Sequence, residues 1–345
     1  MKVLEHQLKK LESLFEKGKP LAKLYPLFEA VDTFLFTPGK TASKAPHVRD
    51  AVDMKRTMIF VVIALIPATL MGIYNTGYQI LLAKKLSLNF WSCVQSGLMK
   101  VLLIILVSYC VGIAWEIVFV FFRKREISEG FWVTGVLYPL TLPSTIFLWQ
   151  VAAGISFGVI FTKGIGSKTG YNVFNPVLLA LAFVFFAYPQ LGQSMSLIAI
   201  DVISVLACLL GLAFLLMTGV VSWRIVLGCV LGTSIAVMIF HFFGNLDKES
   251  FFNIPFYRNF ILGGYVFYAA FIATDPQTSC ATNLGQWIYG FLIGALSVVF
   301  RALNPGCPGG MIFSLLIMNA ISLVIDEIVV SGNIKRRMSR WKIAV

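Results

Sequence analysis

The stretch ATDPQTSCATNLGQWIYGFLIGALSVVF, residues 273–300, decides how this chain folds. It places a proline and a polar turn before an apolar run, which ends at Asn304-Pro305. The same order occurs earlier, where TLPSTIFLWQVAAGISFGVIF, residues 141–161, leads to Asn175-Pro176. Pro143 and Pro276 precede their Asn-Pro steps by 33 and 29 residues. The pattern indicates either an internal repeat or a chance similarity between apolar segments.

The composition around these stretches is that of a membrane protein. Hydrophobic residues make up 58% of the 345, and charged residues only 13%. A soluble chain of this length has about a quarter charged residues, so lipid is the expected solvent. The net charge of +12 does not indicate nucleic-acid binding, because the cations cluster at the termini and in short loops.

The apolar segments predict an all-α integral membrane protein with about ten transmembrane helices. They lie near 57–83, 98–122, 131–148, 150–163, 177–190, 198–221, 224–243, 259–274, 287–303 and 309–330. The fourth and fifth segments are shorter than the about 20 residues that a span needs, so they are expected to be tilted, broken or only partly spanning. In a ten-helix arrangement the two similar stretches run in opposite directions, which predicts two inverted five-helix repeats with a site near the midplane.

Three regions follow from this pattern. Residues 1–56 form an amphipathic and basic arm, residues 57–330 the transmembrane domain, and residues 331–345 a basic tail. The arm carries eleven Lys and Arg residues, and the tail carries five. Because cytoplasmic segments are enriched in Lys and Arg, both termini are predicted to be cytoplasmic. Lys84 and Lys85 fall on the other side and are a minor exception.

Amide and aromatic side chains mark a candidate site before the fifth span. Asn172 and Asn175 are three residues apart with Phe174 between them, so one helical turn would bring both amides to one face. Such a group suits a flat heterocycle with donors and acceptors on its edge. The alternative is ordinary helix capping by Asn, with Pro in the first turn.

A second candidate site lies at the entry to the third span, where Glu129, Gly130, Phe131 and Trp132 follow one another. Glycine permits close approach, and the aromatic side chains offer a flat apolar wall for a ring. These residues are predicted to border a quinone. Trp132 alone is equally typical of the aromatic belt at a membrane interface.

Acids near or within the membrane are candidates for an ion pathway. They are Glu116, Glu129, Asp275 and Asp326. Charges at such depths are costly and often mark ion routes, and a hard cation such as Na+ prefers oxygen ligands. The alternatives are an interfacial cap or salt bridge for the acids at helix ends, and a buried hydrogen bond for Glu116.

Other kinds of site are not indicated. The six cysteines show no CxxC spacing, and the three histidines are far apart, so no metal site is predicted. The chain has neither a dinucleotide-binding glycine motif after a strand nor a P-loop. Any chemistry is therefore expected to be carried by a cofactor.

Several segments resemble the B subunit of the Na+-translocating NADH:quinone oxidoreductases, and the similarity covers nearly the whole chain. They are WEIVFVFFRKREISEGFWVT (115–134), GYNVFNPVLLALAFVFFAYP (170–189), SWRIVLG (222–228), FIATDPQTSCATNLGQWIYG (271–290) and NIKRRMSR (333–340). The related D subunit of the Rnf electron-transport complex is the nearest competitor, but the long basic arm and the NIKRR tail favour the quinone reductase.

The resemblance implies ten helices in two inverted halves and a place in the bacterial inner membrane. It implies an FMN linked covalently to a threonine in an external S-G-A-T stretch, and a non-covalent riboflavin near Asn172 and Asn175. It further implies electron transfer from riboflavin to ubiquinone, coupled to Na+ export. Five other subunits would supply the NADH site and the remaining carriers. A passive carrier and an assembly scaffold, neither with a redox role, are the rival functions.

One departure from the family concerns the covalent FMN. No SGAT occurs in the chain, and the connection after the fifth span, residues 188–196, contains no threonine. The abrupt join indicates a missing segment near 190–197, so no covalent FMN site is predicted on these residues.

Overall fold

A computed structural model describes residues 53–85, 88–123, 130–166, 172–192, 202–243, 256–303 and 309–343, and five single residues before them. Its regular elements are all helical over these ranges, as the sequence predicts. Most of the arm and Glu129 lie outside the described residues, as does the connection from residue 193 to residue 201.

Ten helical segments and one short helical turn, Pro189–Gly192, follow one another in the described ranges. The segments are α1 (Met54–Ala83), α2 (Phe90–Arg123), α3 (Phe131–Thr141), α4 (Leu148–Gly166), α5 (Pro176–Ala187), α6 (Val202–Met217), α7 (Trp223–Phe243), the interrupted α8 (Arg258–Ile272), α9 (Asn283–Leu303) and α10 (Gly310–Ile343).

Five of these helices are long and apolar enough to cross a membrane, by length and composition. They are α1, α2, α7, α9 and α10. Shorter apolar helices occupy residues 131–141, 176–187 and 203–217. Large apolar side chains such as Trp91, Phe122 and Met217 are exposed on the outer surface, where lipid would cover them. The chain is therefore an integral membrane protein with several spans.

The shorter helices end where the sequence breaks them. Pro143 follows Leu142, whose backbone is extended, and this step separates α3 from α4. Asn175 caps α5, with Pro176 in the first turn. In α8, Gly263 and Gly264 adopt positive φ angles of 64° and 67°, which only glycine adopts at little cost, and a π-helical turn follows. These breaks leave backbone groups and polar side chains inside the bundle.

The packing order repeats in the two halves. In the first half α4 packs against α2 and α5, and in the second half α9 packs against α7 and α10 in the same way. Two further contacts join equivalent helices of the two halves, because α1 packs against α6 and α5 against α10. This is the arrangement expected when two five-helix units are related by a pseudo-twofold axis.

Glycines bring α7 and α9 into close contact. A Cβ atom on Gly294 would overlap the carbonyl oxygen of Cys229, and one on Gly290 would overlap that of Ile225. Small residues let helix backbones approach in a membrane, where packing replaces the hydrophobic effect as the main source of association. The second half is thereby held as a rigid unit around the loop that precedes α9.

The last helix is longer than a bilayer requires. At 1.5 Å per residue its 34 residues extend about 51 Å, whereas the hydrocarbon core is about 30 Å thick. Residues 331–343, assigned from sequence to a separate tail, continue this helix without a break.

Candidate functional site

Two loops meet at the end of the bundle where α3 and α5 begin. Residues 172–175 precede α5, and residues 273–282 join α8 to α9. The backbone N–H of Asn172 donates to the carbonyl oxygen of Gln277 over 3.1 Å. Its side-chain Nδ2 donates to Gln277 Oε1, also over 3.1 Å. The two halves of the chain are therefore joined here by a paired amide contact.

Asn175 makes a second contact between the same loops. Its Nδ2 donates to Asp275 Oδ2 over 2.8 Å, while its Oδ1 accepts the backbone N–H of Val177 over 2.9 Å. The latter bond is the helix cap that the sequence offered as the alternative role for Asn175. Asn175 thus caps α5 and at the same time holds the half-buried carboxylate of the other half.

Asp275 is surrounded by donors. Besides Asn175, it accepts the backbone N–H of Gln277 over 3.2 Å and the hydroxyl of Thr278 over 3.1 Å. Burial raises the pKa of the Asp275 carboxyl above its ordinary value, and the three hydrogen bonds act in the opposite direction. The half-buried carboxylate holds the loop together.

A narrow recess opens beside this junction, and its empty space of about 330 Å³ includes open solvent at the mouth. It lies between the last turns of α2 and α4, the first turn of α3 and the two loops. The residues that line it are Glu116, Gly130, Phe131, Thr134, Val159, Thr162, Lys163, Asn172, Pro176 and Gln277. Apolar walls with a few polar groups are typical of a ligand site.

A buried ion pair forms one wall of the recess. Lys163 Nζ contacts Glu116 Oε2, and the exposed fractions of the two side chains are 15% and 3%. Next to Lys163, the Thr162 hydroxyl is buried and has no hydrogen-bond partner within the described part of the chain. An unsatisfied buried hydroxyl is uncommon in folded proteins, so its presence at a recess indicates a ligand or water partner.

The opposite wall carries a donor and an acceptor that take no part in the amide contact. That contact uses Asn172 Nδ2 and Gln277 Oε1, and the remaining groups are Asn172 Oδ1 and Gln277 Nε2. Both residues line the recess. A ring with one hydrogen-bond acceptor beside one donor on its edge matches this pair.

The predicted quinone residues divide between two sides of α3. Gly130 and Phe131 line the recess, and Gly130 packs closely against the Gln277 side chain. Trp132 lies outside the recess and packs against Tyr109, whose hydroxyl donates to the Trp132 carbonyl over 2.7 Å. Phe174, predicted to lie between the two asparagines, is half-buried and does not line the recess.

Asp326 is separate from the recess. It lies in α10, is half-buried, and accepts the backbone N–H groups of Ala281 and Thr282 over 2.7 and 3.0 Å, together with the Thr282 hydroxyl. It therefore caps the start of α9 from a neighbouring helix. No three His, Cys, Asp or Glu side chains converge on a potential metal site within the described ranges.

Six residues that line the recess were not predicted from sequence as site residues: Thr134, Val159, Thr162, Lys163, Pro176 and Gln277. Lys163 was interpreted only as a positive charge on the cytoplasmic side, although a lysine next to an intramembrane acid in space is a common way to satisfy both charges. Gln277 follows Asp275 by two residues, and its role depends on contact with Asn172, 105 residues earlier.

Comparison with known proteins gives consistent matches. A family model described as NQR2, RnfD, RnfE matches residues 41–201 and 190–335. The chain is 39% identical to the B subunit of the Na(+)-translocating NADH-quinone reductase of Azotobacter vinelandii over 401 residues, covering 98% of this chain and 99% of the relative. The protein of the same name from Klebsiella pneumoniae is 36% identical over 410 residues, with the same two coverages.

Proposed function

This chain belongs to the NQR2, RnfD, RnfE family, and from that membership we propose that it is the flavin-carrying membrane subunit of a sodium-pumping NADH:ubiquinone reductase. The observation that carries the proposal is the near-complete alignment with the B subunits of that enzyme. The names of these relatives favour the quinone reductase over an Rnf complex or a passive carrier. The chain acts with five other subunits in the bacterial inner membrane, with both termini in the cytoplasm.

Within this function we place a non-covalent riboflavin at the junction beside Asn172, Asn175 and Phe174, where the narrow recess must widen to admit its ring. A flavin contributes reversible electron transfer through its ring system. The residues present fit such a ring, since Gln277 Nε2 and Asn172 Oδ1 offer the donor and acceptor that its pyrimidine edge requires. Phe131 and Val159 supply apolar walls. Phe174 would contact the part of the molecule that extends beyond the recess.

Flavin content tests this assignment. The complex carrying Asn172→Leu or Gln277→Leu is purified, and non-covalent flavin is released by denaturation and quantified against protein. A lost hydrogen bond weakens binding by about two- to tenfold, so the released flavin should fall in both variants. Asn333→Leu, at an exposed position of α10, is the matched control. If both recess variants keep the riboflavin content of the wild type, Asn172 has a structural role only.

Quinone would lie on the outer side of α3, with Trp132 as a flat wall and Phe131 between it and the riboflavin. The two aromatic rings are 6.1 Å apart, centroid to centroid. Riboflavin, the electron donor, and quinone, the electron acceptor, would then lie close together in separate sites. Glu129, which precedes Gly130, would belong to the same entry region.

Na+ would enter and leave along the acids Asp326, Asp275, Glu129 and Glu116. Of the three that the structure describes, Glu116 is buried and ion-paired, whereas Asp275 and Asp326 are half-buried and hydrogen-bonded. The sequence predicted Asp326 at the end of the last span, but α10 continues to Ile343 and places it in the middle of the helix. We keep Asp326 as the first candidate, because its carboxylate is half-buried and lies outside the recess.

The residues do not fit a covalent FMN. The connection between α5 and α6 has no threonine from residue 188 to residue 201. The two matched segments of the family model meet there, at residues 190–201, and 401 aligned positions exceed the 345 residues of this chain. The chain thus lacks a segment that its relatives carry. Flavin fluorescence on a denaturing gel should be absent from its band, and the mass should be the unmodified 38.2 kDa. A fluorescent band would contradict this.

A further inference from the structure

The last part of α10, residues 331–340, is exposed at every position except the half-buried Gly332, where an added Cβ atom would meet nothing within 4 Å. We propose that this segment, named the docking helix below, binds a groove with an apolar floor and acidic rims on a partner subunit. The proposal rests on the proposed function, which supplies the partner subunits and places this end of the chain in the cytoplasm.

The docking helix extends beyond the lipid. Asp326 accepts the backbone N–H groups of Ala281 and Thr282, so it lies level with the start of α9. The 21 residues of α9 extend about 32 Å, close to the hydrocarbon thickness of about 30 Å. Arg336 and Arg340 lie about 15 and 21 Å further along the axis of α10. The headgroup layer adds only about 5–8 Å on each side, so both cations stand beyond it.

Apolar and basic side chains are ordered around the docking helix. Ile334 and Met338, 52% and 59% exposed, are four residues apart and form an apolar strip along one side. Since successive residues of a helix are about 100° apart, Lys335 and Arg337 flank this strip, one on each side. Two apolar side chains are therefore exposed to water between two cations, at a level that lipid does not reach.

The opposite side of the docking helix is purely basic or polar. Arg336 and Arg340 are four residues apart and lie there together. The general enrichment of Lys and Arg at the cytoplasmic face of a membrane accounts for the positive charge of the segment. It does not account for an apolar strip with a cation on each side, because attraction to anionic lipid depends on the amount of charge near the surface.

This order matches a helix that inserts one side into a groove, with apolar side chains at positions i and i+4 as anchors. The cations beside such a strip meet the rims of the groove, where carboxylates complement them. Arg and Met are also enriched at protein interfaces. No Asp or Glu follows Glu327, and the chain carries a net charge of +12, so the complementary carboxylates are expected on another chain.

Site-specific photocrosslinking in the purified complex tests the docking helix. A photoreactive residue replaces Met338 on the apolar strip or Arg336 on the opposite side, and the adducts are identified by mass spectrometry. The Met338 position should form an adduct with another subunit. The Arg336 position should form about fivefold less, because it faces away from the groove. Equal yields at the two positions, or adducts of the Met338 position with lipid or this chain only, would overturn the proposal.

Matched charge reversals separate a groove from a general attraction to acidic surfaces. Lys335→Glu with Arg337→Glu reverses the flanking charges, and Arg336→Glu with Arg340→Glu reverses two charges on the opposite side. Both pairs change the net charge by the same amount. The flanking pair should lower the Met338 adduct about tenfold, since two ion pairs become repulsive contacts, whereas the opposite pair should change it by less than about twofold. Equal losses in the two pairs would contradict a groove.

Assembly serves as the control for all these variants. Because the docking helix lies beyond the spanning part of α10, each variant should enter the membrane and keep the wild-type flavin content. If the wild-type chain co-purifies with no other subunit, the proposed function fails and the docking site with it. If other subunits co-purify but the Met338 position labels none of them, only the present inference fails.

Discussion

The side chains of Asn175 and Asp275 are joined by a 2.8 Å hydrogen bond across one hundred residues of sequence. Each residue stands at a break between helices, and each belongs to a different half of the chain. Asn175 also caps α5 through Val177. One amide therefore fixes the start of a helix and the position of a half-buried carboxylate, so its two roles can be separated by substitution.

Asn175→Ala should destabilise the protein by about 2–4 kcal/mol, because it removes the helix cap and leaves a half-buried acceptor of Asp275 without its partner. Asn175→Ser retains a capping hydroxyl and should recover the capping part, about 1 kcal/mol. The free energy of unfolding in detergent, from denaturant titration, measures both. Equal losses in the two variants would show that the cap contributes nothing.

Asp326→Asn should weaken the Na+ stimulation of quinone reduction while flavin content is unchanged. The asparagine keeps the shape but removes the charge and one acceptor oxygen, so only one of the backbone N–H groups of Ala281 and Thr282 keeps its partner. Activity should recover in part at high Na+ concentration if the defect lies in affinity. The neighbouring Glu327 is exposed, and Glu327→Gln is the matched control. A wild-type Na+ response in Asp326→Asn excludes this carboxylate from the ion route.

Trp132→Ala should raise the quinone concentration needed for half-maximal activity by about tenfold, the loss expected for one aromatic contact. The flavin content should remain that of the wild type, since Trp132 does not line the recess. Trp91, 78% exposed near the start of α2, serves as the control tryptophan. If a photoreactive quinone labels only other subunits, the proposed quinone site on α3 is wrong.

Gly130→Ala should lower riboflavin content without preventing assembly. A Cβ atom at this position would overlap Gln277 Oε1, so the glutamine would have to shift away from Asn172. The end of a glutamine side chain is flexible, and the cost to folding is therefore small. Gly164→Ala in α4 has nothing within 4 Å of its new Cβ and is the comparison. If the two variants have the same flavin content, Gly130 does not belong to the flavin site.

Gly294→Ala should destabilise the second half by about 1–3 kcal/mol, since the added methyl group would push α9 away from the Cys229 carbonyl of α7. Gly332→Ala, in an open part of α10, should be neutral or stabilising by about 0.5–1 kcal/mol because alanine favours the helix. Thermal unfolding of the two purified variants tests the contrast, and a stable Gly294→Ala protein would refute the close packing.

The apolar runs predicted the helices well, because hydrophobicity and proline breaks act locally along the chain. Asn175 and Pro176 also marked the start of α5 correctly. By contrast, the recess could not be predicted as a unit. Lys163 and Glu116 are 47 residues apart, and their contact depends on how α2 packs against α4. The sequence also did not predict that α10 continues to Ile343. Basic residues after Gly332 favour water over lipid, but they do not end a helix.

The repeated packing order bears on the direction in which such a protein can work. If the halves are inverted, equivalent residues face opposite sides of the membrane, so two identical halves would offer the same groups to both compartments. Vectorial behaviour must then originate where the halves differ. Leu142 and Asp275 are such a pair, each directly before the proline that ends α3 or α8. In inverted halves, one side of the bilayer would receive the buried Leu142 and the other the half-buried carboxylate of Asp275. Because this symmetry is broken, the protein presents different chemical groups to the two compartments.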